Sequence, residues 1–263
     1  MAEVTASHYP PGTPCWVDLM APDQQAALDF YRDLFGWQGE IGPPEFGGYA
    51  MCTLNGKPVA GIMKAVPMKE GDPTPPTVWT TYLASADADA TQAAISAAGG
   101  TVMFPVMDVG TVGRMFVAAD PTGAVFGVWQ PVDFYGAQVV NEPGALTWNE
   151  LHTSDIPAAS AFYQRALGLV SAPMEGAGMT DYHSMNVDGR PVGGMTTMEG
   201  APPGVPPHWL TYFAVDDTDS VVDALVKAKG NVLVPPFDFV AGRMAVVQDP
   251  QGAVFAVIKT VPM

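Results

Sequence analysis

The sequence predicts an α+β protein of two homologous domains with mostly antiparallel sheets, in which a strand, a helix and two or three further strands recur four times as βαβββ modules. Three observations carry this prediction. Asp120–Gly127 (DPTGAVFG) reappears as Asp249–Ala256 (DPQGAVFA). Other pairs keep nearly the same spacing: Trp16–Leu19 (WVDL) with Trp148–Leu151 (WNEL), Asn55–Gly61 (NGKPVAG) with Asp188–Gly194 (DGRPVGG), Trp79–Tyr82 with Trp209–Tyr212, and Gly113–Met115 with Gly242–Met244. Their separations drift only between 129 and 133 residues, as small loop insertions would cause. Finally, four short apolar strands (PCWVDLM, VWTTYLA, ALTWNEL, HWLTYFAV) each precede an aspartate and a helical pattern. Two units are too few for a solenoid, so each domain is expected to hold its own core. The domains run over 12–131 and 145–261, with a linker over 132–144.

Each element has a local cause. Asp23 is placed to cap the first helix; Ala27, Phe30, Tyr31 and Leu34 form one apolar face, and Gly36 ends it. In the second helix Ala90, Ala94 and Ile95 are expected to face inward, with Gly99-Gly100 as the stop. In DPxG, aspartate first, proline second and glycine fourth suit a type I turn. The motif then joins GRMFVAA to AVFGVW as a hairpin, and its own residues need do no chemistry.

A formal net charge of −16 repels phosphate backbones and anionic membranes, so neither nucleic acid nor a membrane is an expected partner. It weakly favours cationic small molecules. No apolar run nears the ~20 residues of a membrane span, and the opening MAEVTASHYPPGTP lacks the basic and apolar regions of an export signal. A cytoplasmic location is expected. Cys15 and Cys52 give neither a disulfide framework nor a paired zinc motif and read as buried free thiols. The sequence has no glycine-rich phosphate loop, nucleophile elbow or CxxC.

The ordered set D…FY…LFG after the first strand (Asp23, Phe30, Tyr31, Gly36, echoed at Asp155, Phe162, Tyr163, Gly168) and DPxG before the last strand, both present twice, resembles the vicinal oxygen chelate (VOC) superfamily. This is the glyoxalase, bleomycin-resistance and extradiol dioxygenase group, here in its tandem two-domain form, and the resemblance covers roughly residues 12 to 261. It implies glyoxalase-like domains in which two modules curve into a cup that holds the ligand. It also implies where metal-dependent members place their ligands: Trp16 and Trp148, Thr80 and Leu210, and Gly127 and Ala256 occupy those positions here. None is a carboxylate or an imidazole, whereas a divalent metal in such a cup needs several N or O ligands. No metal and no cofactor is therefore expected.

Strand alternation directs Trp16, Asp18, Thr80, Tyr82, Gly127 and Trp129 into the first cup. It directs Trp148, Glu150, His152, His208, Leu210, Tyr212, Ala256 and Ile258 into the second. Indoles in place of metal ligands make a wide aromatic site for stacking and cation–π contact, worth about 0.5–2 kcal/mol, with Gly127 opening space. Asp18 or Glu150 can pair with a ligand amine. The candidate ligand contacts are thus Trp16, Asp18, Tyr82, Trp129, Trp148, Glu150, His152 and Tyr212. The alternative is that the two tryptophans fill the cups as core and both acids pair with Arg114 and Arg243. Domain 2 alone clusters Glu150, His152 and His208. If the protein is an enzyme, Glu150 and His208 are the candidate acid–base residues, or the trio binds an off-pattern metal.

Three functions stay open. The first is metal-independent binding of a hydrophobic, planar aromatic small molecule, neutral or cationic. The resemblance places this in antibiotic sequestration and self-resistance, or in natural-product biosynthesis as an accessory protein whose partner is an oxygenase. The second is an isomerase, cyclase, lyase or dioxygenase working from domain 2. The third is an interaction protein with filled cups. The tandem chain fits a monomer or a homodimer, with cups formed within or across its domains.

Overall fold

The computed structural model describes residues 9–67, 71, 73–174 and 181–261. Domain 1 runs β1 (Pro14–Ala21), α1 (Gln24–Phe35), a 3-10 turn (Pro44–Phe46), β2 (Ala50–Leu54), β3 (Lys57–Lys64), β4 (Val78–Ala84), α2 (Ala88–Ala97), β5 (Thr101–Val109), β6 (Gly113–Ala119) and β7 (Val125–Pro131). Domain 2 runs β8 (Leu146–Thr153), α3 (Ile156–Leu167), β9 (Val170–Pro173), β10 (His183–Val187), β11 (Arg190–Thr197), β12 (His208–Ala214), α4 (Thr218–Lys227), β13 (Asn231–Phe239), β14 (Gly242–Gln248) and β15 (Val254–Thr260). The first module has one strand fewer than the others. Where β9 stands in domain 2, domain 1 makes only an isolated bridge between Gln38 and Thr53.

Each domain supplies one cup-shaped sheet, in the orders β2-β3-β1-β4-β7-β6-β5 and β13-β14-β15-β12-β8-β11-β10-β9. Neither sheet takes a strand from the other domain, so each cup is built within one domain. The first and last strands of each module pair in parallel (β1 with β3, β4 with β7, β8 with β11, β12 with β15) and the other pairings are antiparallel.

The helix starts follow their capping residues. Asp23 accepts from the Ala26 N–H at 3.0 Å, and Gly36 closes α1 in the left-handed region at φ 77°. The inward face of α2 differs from expectation: Ala88 and Ile95 are buried whereas Ala90 is exposed. Asp87 caps the helix through the Ala90 N–H, and Ala88 and Ile95, about two turns apart, share the buried face. Burial raises both free thiols, Cys52 to about 12, which leaves them inert as nucleophiles. Among the described residues no helix is long and apolar enough to cross a membrane.

The expectation of one core per domain is corrected. The two domains pack through β4 on β12, α2 on α3 and α1 on α4, and both large apolar clusters mix the domains. Tyr31 of α1 stacks on Trp37 (centroids 5.4 Å apart), meets Trp79 edge-on and reaches Phe255 of domain 2; Phe35 packs on Phe213. The mirrored cluster sets Tyr163 of α3 against Phe126 and Trp209. A helix face of this width needs a second surface to cover it, and the partner domain supplies that surface.

The repeated DPxG motif therefore does two jobs. Asp120 Oδ1 accepts from the N–H groups of Thr122, Gly123 and Ala124, which fixes the turn. Its Oδ2 accepts from the Tyr163 hydroxyl across the domain boundary at 3.2 Å. Asp249 repeats this with the Gln251 and Ala253 N–H groups and with Tyr31 at 3.0 Å. Each tyrosine in turn receives its own domain's indole N–H, Trp79 to Tyr31 and Trp209 to Tyr163.

The pseudo-symmetry fails at one buried pair. Thr81 donates to Asn149 Oδ1 across the interface at 2.8 Å. Its counterpart Thr211 is fully buried, and its hydroxyl finds no partner among the described residues, because Val17 stands where Asn149 stands in the other half. An unpaired buried hydroxyl costs about 1–3 kcal/mol. Thr211→Val, which keeps the shape, is expected to raise the urea-unfolding free energy by about 1 kcal/mol, whereas Thr81→Val should lower it. A loss at both sites would contradict the asymmetry.

Candidate functional site

The strand registers bring the expected cup residues together. In domain 1 Trp16 pairs with Tyr82, Asp18 with Thr80, and Tyr82 with Gly127. In domain 2 Trp148 pairs with Tyr212, Glu150 with Leu210, His152 with His208, and Tyr212 with Ala256. Alternation then sets each row on the concave face.

Two tyrosines absent from the sequence reading complete the arrangement. Tyr49, just before β2, accepts the Trp16 indole N–H at 2.8 Å and donates toward Asp18 Oδ2 at 3.4 Å. Tyr182, just before β10, accepts the Trp148 indole N–H at 3.0 Å. A Cβ on Gly61 would run into the Tyr49 hydroxyl, and one on Gly194 into that of Tyr182. The final glycine of NGKPVAG and DGRPVGG therefore makes room for this ring. The repeat held the signal, since Tyr49 and Tyr182 share the spacing of those glycines.

The first cup is closed. Gly127 does not open space there, because the Tyr82 ring lies on it. Phe134, in the linker, sets its edge on Trp16 (4.9 Å, 89°) and on Trp129 (5.9 Å, 72°), and its carbonyl accepts the Trp129 indole N–H at 2.8 Å. Tyr9 ties the same linker down through the Ala137 carbonyl at 2.6 Å. As a result Trp16 and Asp18 are 4% exposed, Tyr82 6% and Trp129 7%.

Arg114 and Arg243 do not neutralise the cup acids. They pair on the surface with Asp89 and Asp108, and with Asp219 and Asp238. Burial pushes the Asp18 carboxyl up from 3.8 to about 7, against hydrogen bonds from Tyr82 and Tyr49 that lower it. A carboxyl whose folded pKa exceeds its unfolded one is harmless below pH 4. It destabilises progressively as pH rises to about 7, by up to roughly 4 kcal/mol. Asp18→Asn is therefore expected to be more stable than the native chain at pH 8 and to lose that gain near pH 4. Urea unfolding at both pH values checks this, and an equal gain at both would contradict it.

The second cup has a floor of Leu210, Tyr212, Met244, Ala256 and Ile258, all buried. Trp148 stays half-buried at its wall. Glu150 is 3% exposed and accepts from the Tyr212 hydroxyl at 2.8 Å. His152 Nε2 lies 2.9 Å from Glu150 Oε1 but outside hydrogen-bond geometry, so this buried nitrogen has no hydrogen-bond partner among the described residues. His208 stacks flat on His152 (4.8 Å, 6°), its Nδ1 at 2.9 Å from the Pro206 carbonyl oxygen. Burial lowers the His208 pKa, which favours a neutral ring. The site thus offers a carboxyl group, an imidazole beside it and a phenol next to a tryptophan face. Two clefts, of about 320 and 370 Å³, run along the α1–α4 seam and involve neither cup.

Residues 15–128, and again 142–257, match the Glyoxalase/Bleomycin resistance protein/Dioxygenase superfamily. The chain belongs to that superfamily. It is 46% identical over 260 residues to the protein provisionally named glyoxylase CFP32 of Mycobacterium tuberculosis (strain CDC 1551 / Oshkosh), covering 97% of this chain and 98% of that protein. It is 39% identical over 263 residues to the anthracycline biosynthesis protein DnrV of Streptomyces peucetius, covering 96% and 95%. The Mn(II)-bound glyoxalase from Novosphingobium aromaticivorans shares the fold at a TM-score of 0.64 and 18% identity, over 95% of this chain and 82% of the other.

In this superfamily member the residues at the implied ligand positions do not fit a metal. The Trp16 and Trp148 indoles are hydrogen-bond donors already spent on tyrosines, Gly127 lies under the Tyr82 ring, and Leu210 and Ala256 carry no donor atom. Among the described residues no three His, Cys, Asp or Glu side chains group as a metal site would need. Glu150, His152 and His208, considered from sequence as an off-pattern metal trio, lie side by side but do not group as such a site among the described residues.

Proposed function

We propose that this protein binds a hydrophobic, planar aromatic small molecule without a metal ion, in a tryptophan-lined cup. The observation that carries the reading is the half-buried Trp148 face standing beside buried Glu150 and the His152 nitrogen 2.9 Å from it. A large indole surface next to two polar groups suits a ring system that carries a polar or cationic substituent. Of the other candidate contacts, Tyr212 holds Glu150, while Trp16, Asp18, Tyr82 and Trp129 form the equivalent row in the first cup. Kinship with the anthracycline biosynthesis proteins supports a place in natural-product chemistry, as a sequestering protein or as an accessory to an oxygenase. A panel of planar aromatics, neutral and basic, should quench tryptophan fluorescence saturably, and Trp148→Phe should remove most of the quench. A panel that leaves the native signal unmoved would end this reading.

One observation favours an acid–base enzyme as a second reading: Glu150 Oε1 lies within 2.9 Å of His152 Nε2 at the cup wall. In that reading Glu150 takes a proton as general base and a histidine, His152 or His208, gives one back as general acid. Turnover by Glu150→Ala on any accepted substrate discriminates, since full activity would remove the assignment.

A further inference from the structure

The two cups are the same unit to within a residue of register, so their differences are informative. At the mouth of the first, Met20 pairs with Met63 and with Val78, and Met51 lies beside Gly61. At the register-equivalent places of the second stand His152, paired with Thr196 and His208, and Ser184 beside Gly194. An apolar mouth in one domain has thus become a hydrogen-bonding mouth in the other.

The far ends differ too. Phe134 and its linker cover Trp16 and Trp129, whereas among the described residues no ring packs on Trp148. Opening the first cup would break the Trp129–Phe134 and Tyr9–Ala137 hydrogen bonds and expose two indoles. Among the described residues no such bonds close the second.

We propose that only the second cup takes the ligand, one per chain, and that it selects planar rings bearing a hydroxyl; this rests on the small-molecule reading above. Buried polar atoms are nearly always paired in good geometry, and His152 Nε2 lies 2.9 Å from Glu150 Oε1 without meeting hydrogen-bond geometry among the described residues, so a bridging group would complete the pair. Glu150 is an acceptor when ionised, and a neutral imidazole donates from one nitrogen and accepts at the other. A ligand hydroxyl answers both at once, by donating to Glu150 and accepting from His152 Nε2. His208, stacked on His152 and held at Pro206, keeps that imidazole from turning away. Met20 and Val78 offer neither function, which leaves the first cup a structural copy.

The test is equilibrium binding of two probes to the full chain: a dihydroxyanthraquinone and unsubstituted anthraquinone. One equivalent of the dihydroxy probe per chain is expected, with at least tenfold weaker binding of the plain quinone. Giving the second mouth the residues of the first, by His152→Met with His208→Val, should erase that preference. Met20→Ala with Met63→Ala should leave binding unchanged, and melting curves report that each variant is folded. Two equivalents per chain, equal affinity for the two probes, or loss of binding only in the Met20/Met63 variant would overturn the single-cup assignment while leaving the small-molecule reading standing. No binding of either probe, or of any other planar aromatic, would overturn both.

Discussion

Asp249→Ala is expected to lower the unfolding free energy by about 3–5 kcal/mol, an effect of a size normally reserved for large core truncations. The carboxylate is 1% exposed and accepts from the Gln251 and Ala253 N–H groups and from the Tyr31 hydroxyl. Removing it leaves two turn amides and a buried phenol without an acceptor. Tyr31→Phe removes only the cross-domain bond and should cost about 1–2 kcal/mol. A double-mutant cycle separates the roles. Tyr31 should couple to Asp249 and be additive with Asp120, whose own partner is Tyr163. Because both apolar clusters span the domains, the chain should unfold in one denaturant transition. Two separated transitions, or a Tyr31–Asp249 coupling near zero, would contradict the shared core.

Glu150→Gln carries the largest expected effect on function. The substitution keeps the shape and leaves the Tyr212 hydroxyl an acceptor, but it removes the charge beside Trp148. Affinity for a planar, hydroxyl-bearing or basic ligand should fall by about tenfold to a hundredfold, or roughly 1.4–2.8 kcal/mol. Isothermal titration of folded variant and native chain checks this, and unchanged affinity would remove Glu150 from the site. Trp148→Ala should weaken binding by a similar factor through the lost stacking face.

Much of the fold was legible because duplication repeats every error-prone judgement twice. The caps at Asp23 and Gly36, the alternation along β1, β4, β8 and β12, and the DPxG turns each had an echo that fixed their phase. Phase slipped in α2, where an alanine-rich helix offers several equivalent faces and only Ile95 marks the buried one. The cross-domain packing was invisible because an apolar helix face does not say which sheet covers it. At the site, period alone grouped strand residues that the registers set side by side. Tyr49 and Phe134 were not, since both lie in irregular segments whose direction depends on tertiary contacts. The acids were assigned arginine partners as an alternative because charge pairing is the simplest guess; the buried phenols that hold them lie far off in sequence.

Titrating chelator-treated protein with a planar aromatic ligand, with and without added Mn(II) or Zn(II), tests metal-independent binding most directly. Saturable tryptophan quenching is expected, with the same affinity in both conditions, because the positions where the resemblance implies metal ligands carry indoles, a threonine, a glycine and apolar side chains. Quenching that appears only when the metal is restored would contradict it.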